Sequence, residues 1–162
     1  MKIPFILNGT KTVIEASPSD KLSSVLRNMN LISVKCGCLK GICGNCMILL
    51  DDEPVPSCTI PAGIIRDRKI ETLEHFKTSV FFQDILTGFK MAGIHLCGYC
   101  DAGKIFTAYK LIKDFYRPEQ TAVFKAIEGL NLCCTDRDTL ANGIYYAVSA
   151  KHSREGKHNA KK

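Results

Sequence analysis

The stretch "CGCLKGICGNC", Cys36 to Cys46, packs four cysteines and three glycines into eleven residues. Three of those cysteines, Cys38, Cys43 and Cys46, stand as C-x4-C-x2-C, and Cys58 follows after eleven intervening residues. This is the spacing with which one loop wraps a [2Fe-2S] cluster and offers it several thiolates. Gly37, Gly41 and Gly44 suit the same purpose. The backbone must pass close to the cluster and turn its amides toward sulfur, which residues without a Cβ allow. Two other readings of the same four residues are buried cysteines packed as small apolar groups and a four-cysteine zinc site. Zinc loops favour two C-x2-C knuckles, and this half of the chain has one. Six residues, rather than four, separate Cys36 from Cys43, so it reads as a spare thiol.

Upstream, "KIPFILNGTKTVIEA" alternates apolar and polar residues on both sides of Asn8-Gly9, a dipeptide suited to a tight hairpin. "SPSDKLSSVLRNMNL" predicts a short helix with Leu22, Val25 and Leu26 on one face, Ser17 or Ser19 as its cap and Pro18 early in it. Downstream, "MILLDDEPVPS" reads as a strand, a turn at Asp51 to Glu53 and a brief return strand, and "KIETLE" as one more strand ending near Leu73. The expectation is a small α+β domain with a mixed sheet over residues 1–76.

Beyond it the periodicity becomes helical. Phe82, Ile85, Leu86 and Phe89 recur at spacings of three and four, as do Ile105, Ala108, Leu111, Ile112 and Phe115, then Val123, Ala126, Ile127 and Leu130. A last helix from about Arg137 carries Leu140, Ile144, Ala147 and Val148. Four helices with apolar stripes predict a bundle over residues 77–150. The remaining "KHSREGKHNAKK", residues 151–162, reads as a basic, disordered tail. Lys151, Arg154, Lys157, Lys161 and Lys162, less Glu155, place +4 of the net charge of +6 there. The body is therefore only mildly basic, and nucleic-acid binding is not expected.

The N-terminus lacks the order of a signal peptide and the apolar runs are too short to cross a bilayer, so a cytoplasmic protein without membrane contact is expected. Nine cysteines are a heavy load for such a chain. A reducing compartment does not sustain structural disulfides, so metal ligation or redox chemistry is the better reading. The second group begins with "CGYC", Cys97 and Cys100, with Asp101 able to cap the next helix. A C-x2-C pair beside a helix N-terminus also fits a thioredoxin-like thiol pair, but the βαβ surroundings of that motif are missing. The other reading pairs it with Cys133 and Cys134 as a second four-thiolate site.

"LNGTKTVIEASPSDKLSSVLRNMNLISVKCGCLKGICGNCMILLDDEPVPSC" resembles the N-terminal half of the small iron-sulfur subunit of the molybdenum hydroxylases, the group of xanthine dehydrogenase, aldehyde oxidoreductase and carbon monoxide dehydrogenase. "GIHLCGYCDAGKIFTAYKLI", "YRPEQTAVFKAIEGLNLCC" and "IYYAV" resemble its C-terminal half, so the likeness runs from about Ile3 to Val148. The resemblance implies a β-grasp, plant-type [2Fe-2S] ferredoxin-like domain and a four-helix-bundle domain holding another [2Fe-2S] cluster. Cys38, Cys43, Cys46 and Cys58 match the ligands of the first, and Cys97, Cys100, Cys133 and Cys134 those of the second.

The resemblance further implies a molybdopterin-binding large subunit that hydroxylates purines, aldehydes or N-heterocycles, and an FAD-binding medium subunit that takes the electrons. The large subunit would meet the face beside Cys97 and Cys133, and the flavin subunit the Cys38 to Cys46 loop. The chain departs from the family at several positions. Leu39 and Asn45 replace a glycine and an alanine, Leu96 replaces a glutamine that contacts the pterin, and Asp101, Ala102 and Gly103 replace Thr-Pro-Gly. The family's C-R-C-T-G has become Cys133, Cys134, Thr135 and Asp136, one residue shorter. Adjacent side chains diverge in a strand or a helix, so only a sharp turn, at a strain of a few kcal/mol, would aim both sulfurs at one cluster. A degenerate second site would leave a free one-cluster ferredoxin-like carrier, the alternative function.

Overall fold

The computed structural model describes residues 1–160. Strand β1 (Lys2–Leu7) and strand β2 (Thr10–Glu15) form the expected antiparallel hairpin. Asn8 and Gly9 hold φ of 51° and 81° at its turn, the positive values such a turn demands. Strand β3 (Met47–Leu50) pairs antiparallel with β4 (Glu53–Pro56), and β5 (Lys69–Glu71) runs parallel to β1 and antiparallel to β3. The result is a mixed five-stranded sheet of order β2-β1-β5-β3-β4.

Helix α1 (Leu22–Asn28) covers one face of this sheet, burying Leu22 and Leu26 with Ile3, Phe5, Ile48, Leu50 and Ile70. It starts later than the serines suggested, and neither serine caps it; Lys21 is the N-cap residue and gives no side-chain bond. The carbonyls of Pro18 and Asp20 are already taken by the amides of Gly63 and Ala62, which keeps this segment out of the helix until Leu22. Similarly, β5 stops at Glu71 because Asn8 Oδ1 accepts from the Thr72 amide at 2.9 Å. Leu73 therefore opens the short helix α2 (Leu73–Phe76) instead of closing the strand.

Alternation along β3 explains how the halves meet. Ile48 and Leu50 point toward α1, while Leu49 belongs to the second core, with helices α3 (Val80–Met91), α4 (Asp101–Asp114), α5 (Gln120–Ile127) and α6 (Arg137–Asn159). Helix α4 is the centre of this core and buries ten of its fourteen residues. Phe76 of α2 packs against Phe106 and Tyr109 of α4 at 5.1 and 5.0 Å between ring centroids. Phe115 and Leu130, expected on helical stripes, lie just beyond the ends of α4 and α5.

The polar edge of the contact is ionic. Tyr109 Oη donates to Asp52 Oδ1 at 2.6 Å, Lys113 Nζ to Asp52 Oδ2 at 2.6 Å, and Lys110 pairs with Glu53. Asp52 comes from the tight β3–β4 turn, where Asp51 and Asp52 hold φ of 48° and 71°, and Glu53 opens β4 directly after it.

The expected disordered tail needs correction. Residues 151–159 continue α6, and Lys161 and Lys162 lie outside the described residues. The cause is a buried acid across the core. Asp84 of α3 accepts from Arg154 Nε at 3.1 and 3.0 Å and from Arg154 Nη2 at 2.7 Å. Lys151 Nζ donates to the Ile112 carbonyl at 2.6 Å. Among the described residues, no helix is long and apolar enough to cross a membrane.

Candidate metal centres

The loop from Lys35 to Cys46 leaves α1 and returns as β3, so it is anchored at both ends by the first core. Cys46 at its end and Cys58, in a single 3-10 turn after β4, are both buried. The Cys46 carbonyl accepts from the Ser57 amide at 3.2 Å and the Ser57 hydroxyl at 2.7 Å, which brings Cys58 back beside the loop. Cys38 and Cys43 sit half-buried at its other side.

The amides of Lys40, Ile42 and Cys43 all point at Cys38 Sγ, at 3.3, 3.4 and 3.4 Å, and the Cys38 amide points at Cys43 Sγ at 3.4 Å. This ring of N–H groups, the Cys43 amide foremost, brings the Cys38 thiol down to about 6. Burial instead pushes Cys46 up to about 11. Leu39, Gly41 and Gly44 hold φ of 55°, 78° and 77°, which curls the loop around its sulfurs. A Cβ on Gly37 would lie 2.7 Å from Cys43 Sγ, so a side chain there would displace that sulfur. Aimed amides, a close backbone and thiol donors fit a [2Fe-2S] cluster.

The second set is tighter. The sulfurs of Cys97, Cys100, Cys133 and Cys134 all lie within 4.8 Å of one another. Cys100 Sγ is 3.7 Å from Cys97, 2.8 Å from Cys133 and 4.0 Å from Cys134. Cys133 and Cys134 occupy a turn between α5 and α6, and neither takes the left-handed backbone. The turn is closed by Asp136, whose carboxylate caps α6 by accepting from the Thr139 amide at 2.8 Å. The convergence expected only at the cost of backbone strain is thus reached without a positive φ.

Asp101 opens α4 but is not its N-cap; Cys100 holds that position. The Asp101 carboxylate instead accepts from the Gly98 amide at 3.0 Å and pins the Cys97–Cys100 loop. Amides of Cys100 and Tyr99, with the Cys133 thiol, bring Cys97 down to about 6, whereas bonding to Cys100 and Cys97 pushes Cys133 up to about 12. Cys36 stays apart from both sets and is exposed; its carbonyl accepts from the Tyr99 hydroxyl at 3.4 Å. Leu96 packs on the helical core.

Two features escaped the sequence reading. Lys104 is completely buried, with its ammonium donating to Cys100 Sγ at 2.6 Å and to Cys134 Sγ at 3.3 Å. Burial alone would lower its pKa, yet bonds to the two sulfurs hold it above the usual lysine range. Its position four residues after Cys100, inside an otherwise apolar stripe, was the available signal. The other feature is a backbone seam between the two cysteine sets. The Asn131 amide donates to the Cys43 carbonyl at 2.9 Å. A Cβ on Gly44 would lie 2.9 Å from the Gly103 Cα, so chain meets chain one residue after Cys43 and three after Cys100.

Known proteins resemble this chain in sequence and fold. Residues 5–71 match the 2Fe-2S iron-sulfur cluster binding domain family. The chain is 36% identical to the nicotinate dehydrogenase small FeS subunit of Eubacterium barkeri, over 88% of this chain and 91% of that one. It is 32% identical to the xanthine dehydrogenase iron-sulfur-binding subunit of Escherichia coli O157:H7, over 85% and 88% respectively. The crystal structure of quinoline 2-oxidoreductase from Pseudomonas putida 86 superposes with a TM-score of 0.83 at 29% identity, covering 96% of this chain and 97% of its counterpart. Two cysteine sets that fit two [2Fe-2S] clusters, carried on a fold and sequence shared along nearly the whole chain, have one consistent source: the chain belongs to the small iron-sulfur, electron-transfer subunits of the molybdenum hydroxylase family of oxidoreductases.

Proposed function

We propose that this subunit carries electrons from a molybdopterin-binding large subunit to an FAD-binding medium subunit, using both cysteine sets. Cys38, Cys43, Cys46 and Cys58 would hold one [2Fe-2S] cluster in a β-grasp domain over residues 1–76. Cys97, Cys100, Cys133 and Cys134 would hold the other in a four-helix bundle from residue 77. Such clusters supply one-electron carriers, with potentials set by hydrogen bonds to sulfur and by burial. The observation that carries the reading is the convergence of all four bundle sulfurs within 4.8 Å, beside a seam where Gly44 and Gly103 touch. A degenerate second site would not be expected to gather Cys134.

The chain's own residues divide the remaining work. Asp101 and Asp136 hold the two bundle cysteine loops in place. Asp52, Glu53, Tyr109, Lys110 and Lys113 keep the halves in register. Exposed Tyr99, Cys97 and Cys133 form the face proposed for the large subunit, and exposed Leu39 and Ile42 the tip proposed for the flavin subunit. The substrate class of the complex, a purine, aldehyde or N-heterocycle, follows the relatives and belongs to the large subunit. A cytoplasmic location suits nine cysteines that are all free of disulfides.

Leu96 favours the second reading, a one-cluster ferredoxin-like carrier, because its side chain has no hydrogen bond to offer a pterin. Anaerobic purification, iron and sulfide analysis and EPR of the reduced protein separate the two. The relay predicts about four irons per chain and two distinct rhombic signals. About two irons and one signal would support the single-cluster carrier, and zinc alone would rule out redox function.

A further inference from the structure

Lys104 lies on α4 one helical turn after Cys100, so both side chains share a face. It is 0% exposed. Among the described residues no carboxylate pairs with it, and its hydrogen bonds go to Cys100 Sγ and Cys134 Sγ alone. A buried ammonium without a counter-charge is costly, so a cation is retained in such a place only where negative charge faces it. Here the facing groups are sulfurs of the second cysteine set. The two come from opposite ends of the α4–α5 hairpin, and Lys104 bridges them.

We infer that Lys104 raises the reduction potential of the Cys97–Cys100–Cys133–Cys134 centre. This inference rests on the two-cluster reading above. A [2Fe-2S] cluster held by these four cysteines would accept one electron, given up by the molybdenum partner. No bond forms or breaks and no proton moves. The four-thiolate centre simply gains one negative charge, and a desolvated ammonium within hydrogen-bond distance of two of its sulfurs favours that more negative state. The bond to Cys134 Sγ also fixes the direction of that sulfur, the donor whose register departs from the family pattern.

The test is an EPR-monitored redox titration of the full-length chain, isolated anaerobically with whatever subunits accompany it, as wild type, Lys104→Met and Lys104→Gln. Methionine keeps the length and removes both charge and hydrogen bonds; glutamine keeps a donor without charge. Lys104→Met should shift the reduced-to-oxidised ratio of the second signal at least tenfold toward the oxidised form at a fixed ambient potential, about 59 mV for one electron. Lys104→Gln should fall between it and wild type, and the first signal should not move. Unchanged midpoints in both variants, or equal shifts of both signals, would overturn the inference. Loss of the second signal from both variants with the first retained would make Lys104 an assembly residue and also overturn it. A wild-type protein with a single signal would defeat the two-cluster reading itself, and this inference with it.

Discussion

Cys133 and Cys134 are consecutive, and consecutive side chains in any regular element point apart. Their turn is what aims both sulfurs at Cys100, at 2.8 and 4.0 Å. Cys134 is half-buried and anchored by Lys104, whereas Cys133 is exposed and lies 3.4 Å from Cys97. Cys134→Ser should therefore abolish or strongly alter the second EPR signal and lower iron toward about two per chain, leaving the first signal intact. A variant that keeps both signals unchanged would show that another group completes the site. At this scale the sharp turns of the first loop were legible, because Gly41 and Gly44 stand where the backbone takes positive φ. The aim of Cys134 was not, since no local pattern distinguishes a convergent turn from a decayed motif. Lys104 stood in plain view four residues after Cys100, but a helical stripe is conventionally read for its apolar members, and one cation within it passes as a solvated edge.

Element boundaries followed the periodicity wherever a core face decided them, as in β3, where alternate residues serve two cores. They departed from it where a distant side chain decided instead. Thr72 ends β5 through Asn8, and Asp84 extends α6 through Arg154. The second case makes the basic C-terminal stretch a structural element. Asp84 is 5% exposed, so removing Arg154 leaves a buried carboxylate without the side chain that donates to it. Arg154→Ala is expected to cost about 1–3 kcal/mol, the range for leaving a buried acceptor unsatisfied, and no more because the arginine itself is partly solvated. Thermal unfolding should show the loss, and hydrogen exchange should show residues 151–159 losing protection before the rest of α6. Unchanged protection there would mean that Arg154 does not pin the helix.

Across the whole molecule, the seam between the two halves leaves little room for a side chain. A Cβ on Gly44 would lie 2.6 Å from Leu130 Cδ2 and 2.9 Å from the Gly103 Cα, and the residue holds φ of +77°. Gly93 offers an internal control, with the same φ of +77° and nothing within 4 Å of its would-be Cβ. Gly93→Ala measures the conformational cost alone, about 1–2 kcal/mol. Gly44→Ala should lose that amount plus a further 1–3 kcal/mol for the displaced neighbours. Because Gly103 backbone cannot yield as a side chain would, relief must come from sliding α4 away from the first loop, stretching the Asn131 to Cys43 bond. The expected signature is two EPR signals that persist with midpoints close to wild type, while the magnetic interaction between the reduced centres weakens and electron exchange between them slows. A Gly44→Ala protein no less stable than Gly93→Ala, with unaltered exchange, would show that the seam is not where the halves communicate.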